Sequence, residues 1–316
     1  MEHVISANGL TKYFGPHCAV DQVSFEVPRG SVTAFLGRNG SGKTTMLRIL
    51  LGLLEPTRGS STVFGHDSQH LPPELRGRIG YLAEGHPVIR WMTVAQSAKF
   101  QAACFPRWNQ QIFDATVQHF SLSQDAKAGR LSRGQRAGLA LALTLAAEPE
   151  LLILDDPALG LDPVARRALL ESILYITHTP GQTVLLSSHL LDDIERVADY
   201  VLILDKSVLR AACSLDEFRK RIAQYHLTFR GSPPLPPSLP TLPGLLDILV
   251  TPNTLRLTVA NPPTDLEEQL AALQPVDIQQ QPVNFQEAVT AYMSDHRSRT
   301  FFLEQLNQTA PTGGAA

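Results

Sequence analysis

The residues Gly37-Arg38-Asn39-Gly40-Ser41-Gly42-Lys43-Thr44-Thr45 have the types and spacing to hold a phosphate chain. Glycines let successive backbone N–H groups curl around an anion, Lys43 brings a point charge to the terminal phosphates, and the Thr44 hydroxyl is placed for Mg²⁺. At average composition the pattern arises by chance in roughly one chain in a hundred of this length. It points to a bound nucleoside triphosphate, not to what the triphosphate is for.

Such a loop needs a strand before it and a helix after it. Val32 to Leu36 is an apolar β run and Met46 to Leu51 an apolar helical one, so the setting is right. Leu151 to Leu154 is a second apolar strand, and it ends in Asp155-Asp156, two carboxylates at the C-terminal edge of a parallel sheet. Asp155 suits Mg²⁺ there, and Asp156 suits the orienting or deprotonation of a water. The plain alternative is an Asp pair making turn hydrogen bonds. A third strand, Thr183 to Ser188, leads to His189, either a structural histidine or a contact to a terminal phosphate. Leu131-Ser132-Arg133-Gly134-Gln135 opens an Ala/Leu-rich helix with Ser132 as N-cap, and a hydroxyl with a Gly N–H at a helix start makes a second anion half-site.

With 27 Lys+Arg against 30 Asp+Glu over 316 residues, the net charge of -3 contains no run of five or six like charges, and a nucleic-acid partner is not indicated. The three cysteines, Cys18, Cys104 and Cys213, are widely spaced and suit free thiols in a reducing compartment. Met1 to Val4 begins no secretory signal, and the apolar reach from Leu139 to Ala147 is too short to span a bilayer. Upstream of the phosphate loop, Tyr13 and Phe14 are either edge-strand aromatics or a platform for a purine base. Between 92 and 131 the pattern is helical and rich in aromatics (Trp91, Phe100, Phe105, Trp108, Phe113), most of them suited to a core and a few to a groove for another protein.

The order of these motifs resembles the nucleotide-binding subunit of ABC transporters across residues 2–222. Gly37 to Thr45 resembles Walker A, Leu151 to Asp155 Walker B, and Leu131 to Gln135 the signature. Gly160-Leu161-Asp162-Pro163 resembles the D-loop, His189 the switch histidine and Phe14 the base-stacking aromatic. The resemblance implies an α/β fold of P-loop NTPase, ABC type: a RecA-like core with an antiparallel β subdomain and a helical subdomain at about 88–147. It also implies ATP and Mg²⁺ as cofactors, with Phe14, Gly37, Asn39, Gly40, Ser41, Gly42, Lys43, Thr44 and Thr45 on the nucleotide. Thr44, Asp155 and Glu84 fall near the metal, and Asp156, His189 and Glu84 around the reacting water. Ser132, Arg133, Gly134 and Gln135, with Asp162, would then serve the nucleotide of a second ATP-binding subunit. The implied assembly closes around two ATP and moves an integral membrane permease from the cytoplasmic face of the membrane. The wording of 155–163 and 187–199 is most similar to exporters whose permease is a separate chain.

Three positions depart from the family pattern. Asp156 stands where Glu is usual, which predicts slow but real hydrolysis. Glu84 stands at the usual Q-loop glutamine and is either a metal or water sensor or a solvated loop acid. Arg133 replaces the first signature glycine, facing solvent or reaching a phosphate across the dimer. These departures keep open a degenerate ATP-binding regulator with little turnover. A non-transport ABC ATPase is disfavoured, because each motif occurs once and no long heptad run is visible.

Residues 223–316 fall outside the resemblance and read as a small C-terminal α+β appendage. Pro233, Pro234, Pro236, Pro237, Pro240 and Pro243 stiffen a loop at 231–244. Leu245 to Val250 and Thr254 to Ala260 read as a hairpin, Thr264 to Glu267 as a capping box, 276–281 as a strand and Asn284 as another helix start. The tail from Pro311 is expected to be disordered.

Overall fold

Runs apolar at every position need cover on both faces, whereas alternating runs need it on one, and the first half of the chain contains both kinds. A computed structural model describes residues 2–294 apart from 106, 178–180, 189–190, 237–238 and 240–241. It divides the chain into two units, Met1–Leu215 and Asp216–Ala316.

In the first unit β1 (His3–Phe14) and β2 (His17–Pro28) form a long antiparallel hairpin, and β3 (Val32–Leu36) leads through the phosphate loop into α1 (Lys43–Leu50). β4 (Arg58–Val63) and β5 (His66–Asp67) then complete an antiparallel sheet in the order β2-β1-β4-β5. A single turn, α2 (Pro73–Arg76), precedes β6 (Ile79–Leu82), and the helical segment follows as α3 (Val94–Cys104), α4 (Gln110–His119) and α5 (Arg133–Ala146). After it come β7 (Leu151–Asp155), α6 (Pro163–Thr177), β8 (Thr183–Ser188), α7 (Leu191–Ile194), β9 (Tyr200–Asp205) and β10 (Val208–Ser214). The second sheet runs β10-β9-β3-β8-β7-β6, parallel except for the β9–β10 hairpin.

Every residue of β3, β7 and β8 is buried, as their unbroken apolar runs require. Helix α1 lies between the two sheets: Met46, Leu47, Ile49 and Leu50 pack with Val20, Val23 and Phe25 of β2 and with Phe35, Ile153 and Leu185 of the parallel sheet. Each such side chain contributes about 1.5–3 kcal/mol, so the phosphate loop is anchored at its helical end. The register aligns Leu36 with Ser188 and Asp155 with Ser187. The loops after β3, β7 and β8 therefore open at one sheet edge.

β1 runs on through Tyr13 to Phe14, but irregularly, with register shifts between Ala7 and Tyr13 and Gly9 at φ 57. A bulge breaks the alternation that marks a strand. The helical stretch before the signature holds two α-helices, as a helical pattern allows, each with its own cap: Thr93 accepts from Gln96 N–H, and Asn109 from Gln111 and Ile112 N–H.

The units divide at the first residue of α8 (Leu215–Lys220), and the second continues with β11 (Ile222–Thr228), β12 (Leu245–Val250), β13 (Thr254–Ala260), α9 (Leu266–Ala271), β14 (Asp277–Gln281) and α10 (Phe285–Tyr292). Its strands form an antiparallel sheet in the order β12-β13-β11-β14. Leu227, Leu255, Leu257 and Val259 pack beneath Leu266 and Leu270 of α9. Asn284 caps α10 by accepting from Glu287 N–H at 2.8 Å. The capping box expected at Thr264 does not form: Asp265 is the N-cap and instead accepts from the Gln269 side chain at 2.8 Å. The tail from Pro311 lies outside the described residues.

Candidate nucleotide site

Lys43 is the buried centre of the phosphate loop. Its ammonium donates to Gly37 O at 2.7 Å and Arg38 O at 3.3 Å, and lies 3.8 Å from Asp156 Oδ2. Burial pushes the amine below its ordinary value, opposed by the charges of Asp156, Asp155 and Glu84. The lysine is thus held by groups that an incoming phosphate would compete with. Ser41 Oγ is buried without a hydrogen-bond partner among the described residues. An orphaned hydroxyl beside a buried lysine fits a phosphate oxygen. Gly42 sits at φ +108, where a Cβ would fall 2.2 Å from Ala19 O, so the loop closes against the start of β2.

Asp155 is fully buried and saturated with hydroxyls. Thr44 Oγ1 donates to its Oδ1 at 3.1 Å, Ser187 Oγ to the same oxygen at 2.9 Å, and Tyr81 OH to Oδ2 at 3.4 Å. Burial, with the Asp155 charge adding to it, pushes the Tyr81 phenol up to about 12. Thr44 and Asp155 are adjacent hard oxygen donors, the set that a water-rich Mg²⁺ takes. Ser187 also accepts from Asp156 N–H at 2.9 Å, so one hydroxyl ties the two aspartates together. Asp156 adopts φ 43. Aspartate tolerates the left-handed region better than most residues, so the shorter acid suits this backbone.

Glu84 lies on an exposed turn after β6 and reaches the site through its field on Lys43. Phe14 is half exposed at the tip of the β1–β2 hairpin, with Lys12 Nζ 5.5 Å from its ring centroid. The strand behind it joins the phosphate loop, because Ser207 donates from Oγ to Cys18 O at 2.8 Å and from N–H to Ser41 O at 3.2 Å. Asn39 and Gly40 are exposed on the loop and Thr45 is half-buried on α1. His189 lies outside the described residues.

The signature residues are turned to one another and to the D-loop. Ser132 Oγ accepts from Gln135 N–H at 3.1 Å and Gln135 Oε1 from Ser132 N–H at 3.0 Å, a reciprocal cap at the start of α5. Gly134 is required by close packing, since a Cβ there would meet the Ala165 Cβ at 2.5 Å. Arg133 is exposed, and its guanidinium lies over Gly160 of its own chain, where a Cβ would be 2.3 Å from Cζ. Asp162 caps α6, accepting from the N–H groups of Val164 and Ala165 at 3.0 Å each.

Tyr81, Ser187 and His86 escape a reading of the sequence. The signal available for Ser187 is a hydroxyl at the end of an apolar strand beside one that ends in Asp; His86 carries no local mark.

A phosphate loop between a buried parallel strand and a helix, with strand-terminal aspartates beside it, defines a P-loop nucleotide-binding fold. The family model described as ABC transporter matches residues 20–159. The bacitracin transport ATP-binding protein BcrA of Bacillus licheniformis is 33% identical over 227 residues, 71% of this chain and 74% of that protein. A solved ATP-binding subunit of an ABC transporter aligns with TM-score 0.62 at 27% identity, over 69% of this chain and 92% of that one. A dimeric post-hydrolysis state of an ATP-binding cassette, bound to ADP and Pi, aligns with TM-score 0.60 at 20% identity over 67% and 98%. The chain belongs to the ATP-binding proteins of ABC transporters, a family of ATPases.

Proposed function

We propose that this chain is the ATP-hydrolysing subunit of an exporter whose permease is a separate integral membrane protein. In this reading it sits at the cytoplasmic face of the membrane and pairs with a second ATP-binding subunit around two Mg-ATP. The observation that carries it is the cluster of buried Lys43, Asp155, Asp156 and Ser187 with half-buried Thr44, together with the exposed Ser132 at the start of α5. Lys43 and the loop N–H groups bind the phosphates, with Phe14 against the base. Thr44 and Asp155 hold Mg²⁺, which neutralises charge on the phosphates when bound. Asp156 Oδ2 accepts the proton of the attacking water, assisted by His189 and Glu84. Ser132, Gly134 and Gln135 serve the partner's nucleotide, beside Asp162.

Transport is supported by the likeness to BcrA, named for bacitracin transport. Exposed Ile89 and Trp91 after β6, with Phe100 on α3, offer apolar surface for a membrane partner. No helix among the described residues is long and apolar enough to cross a membrane. The test is to purify the full-length tagged chain from detergent-solubilised membranes. A polytopic membrane protein in stoichiometric amount is the expected companion; recovery alone in the soluble fraction, or with ribosomes, overturns the transport reading.

A further inference from the structure

The turn that carries Asp156 is held from both sides, and the second hold comes from a residue outside the motifs. Upstream, Ser187 binds Asp156 N–H. Downstream, His86 Nε2 lies 2.7 Å from Pro157 O. A carbonyl only accepts, so the ring carries its hydrogen on Nε2 and donates it. Pro157 has no N–H of its own, and the next link in the turn is Leu159 N–H to Asp156 O at 3.0 Å.

His86 is built for this one bond. Its side chain is buried, its Nδ1 has no partner among the described residues, and its backbone stands at φ 53, closing the turn from Ala83 O by its own N–H at 3.2 Å. That turn contains Glu84 and leads from β6 into the helical segment. On the far side Arg133, from the start of α5, lies over Gly160. The 156–160 segment is therefore gripped by two side chains, one from each end of the helical segment.

We propose that His86 is a positioning residue that fixes the Asp156 carboxylate by holding the Pro157 carbonyl, and so couples the Glu84 turn to the group that activates water. The proposal rests on the reading of Asp156 as that group. Without the bond the carboxylate samples geometries in which the water is not aligned, while the phosphate loop, held by Lys43 and α1, still binds nucleotide.

The experiment compares His86→Gln, whose amide nitrogen can stand near the position of Nε2, with His86→Asn, which is polar but too short to reach Pro157 O. Steady-state hydrolysis of Mg-ATP is measured on full-length protein whose folding is checked by melting. The Asn variant should lose about tenfold in kcat, the scale of one well-placed hydrogen bond, with KM for ATP within about twofold; the Gln variant should keep at least half of kcat. Equal losses in the two, or a KM that rises as kcat falls, overturn the proposal. If the Asn variant does not fold, the Gln variant decides, because loss of kcat in a folded protein that keeps the donor has the same consequence. Asp156→Asn separates the two readings. Full turnover in that variant removes the assignment of Asp156, whereas a further tenfold loss on adding His86→Asn to it means that His86 acts elsewhere.

Discussion

Strand β7 is charged at both ends, and the two ends are finished differently. At its N-terminal end Glu150 accepts from Arg78 Nε at 2.8 Å and from Arg78 Nη2, with Arg107 a further 3.4 Å away, so two arginines close around one carboxylate. At its C-terminal end the charges of two carboxylates act on one buried lysine, a neighbouring serine hydroxyl has no partner among the described residues, and the lysine leans on backbone carbonyls. A closed charge pair has nothing left to offer a ligand. An open one has, and the comparison separates a site from a staple without reference to motif names.

The comparison is tested most severely at Lys43. Lys43→Ala removes a buried positive charge whose field acts with those of Asp155 and Asp156, and with it the point charge proposed for phosphate. Hydrolysis should fall by at least about 10²–10³-fold, the range for deleting a group that stabilises charge in a reaction, with ATP binding lost in an equilibrium assay. Retained binding would mean that the open end of β7 is not where nucleotide sits. The signature should behave in the opposite way: Ser132→Ala leaves ATP binding to the isolated chain unchanged, costs about 1 kcal/mol of helix cap, and abolishes ATP-dependent dimerisation in gel filtration. Weaker ATP binding by the monomer would place Ser132 in the wrong half-site.

The open end was largely legible in the sequence because its chemistry is contiguous. Gly37 to Thr45 is one stretch, and Asp155 and Asp156 follow directly on an apolar run. What escaped was chemistry made by register. Ser187 meets Asp155 only because β7 and β8 are parallel with those two residues aligned, and Tyr81 only because β6 lies on the other side of β7. His86 depends on where the turn after β6 meets Pro157. The approach of Arg133 to Gly160, 27 positions away, was not legible locally either. In the second unit the β12–β13 hairpin was readable from its Pro252-Asn253 turn, while the missing box at Thr264 is a matter of cap geometry that composition does not fix.

Tyr81 sharpens the open end further. Its phenol is the hydrogen bond to Asp155 Oδ2, and its raised value keeps it a donor throughout the neutral range. Tyr81→Phe leaves that oxygen with one donor fewer, so Asp155 is freer to turn from the position in which we propose it holds Mg²⁺. The Mg²⁺ concentration for half-maximal hydrolysis should rise about threefold to tenfold, in line with one hydrogen bond to a charged group, with KM for ATP at saturating Mg²⁺ little changed. An unaltered Mg²⁺ curve would assign the bond to packing alone.

The closed end of β7 should give the smallest effect, in stability and not in turnover. The hydrogen bond from Arg78 holds the Glu150 carboxyl below its ordinary value of 4.5, against a smaller push from burial. A carboxyl lowered by folding contributes stability that is present above the unfolded value and lost as the pH falls through the folded one. Replacing the charge by Glu150→Gln should therefore lower the melting temperature at pH 7 by about 2–4 °C, the size expected for a partly exposed pair worth about 1 kcal/mol. As the pH falls through the lowered folded value the native carboxylate is itself protonated, so the two proteins should converge in acid, while kcat at pH 7 stays the same. A difference in melting that persists undiminished in acid would mean that Glu150 acts by shape and not by charge. A loss of kcat at pH 7 would mean that the two ends of the strand are not independent, and the contrast between them would have to be given up.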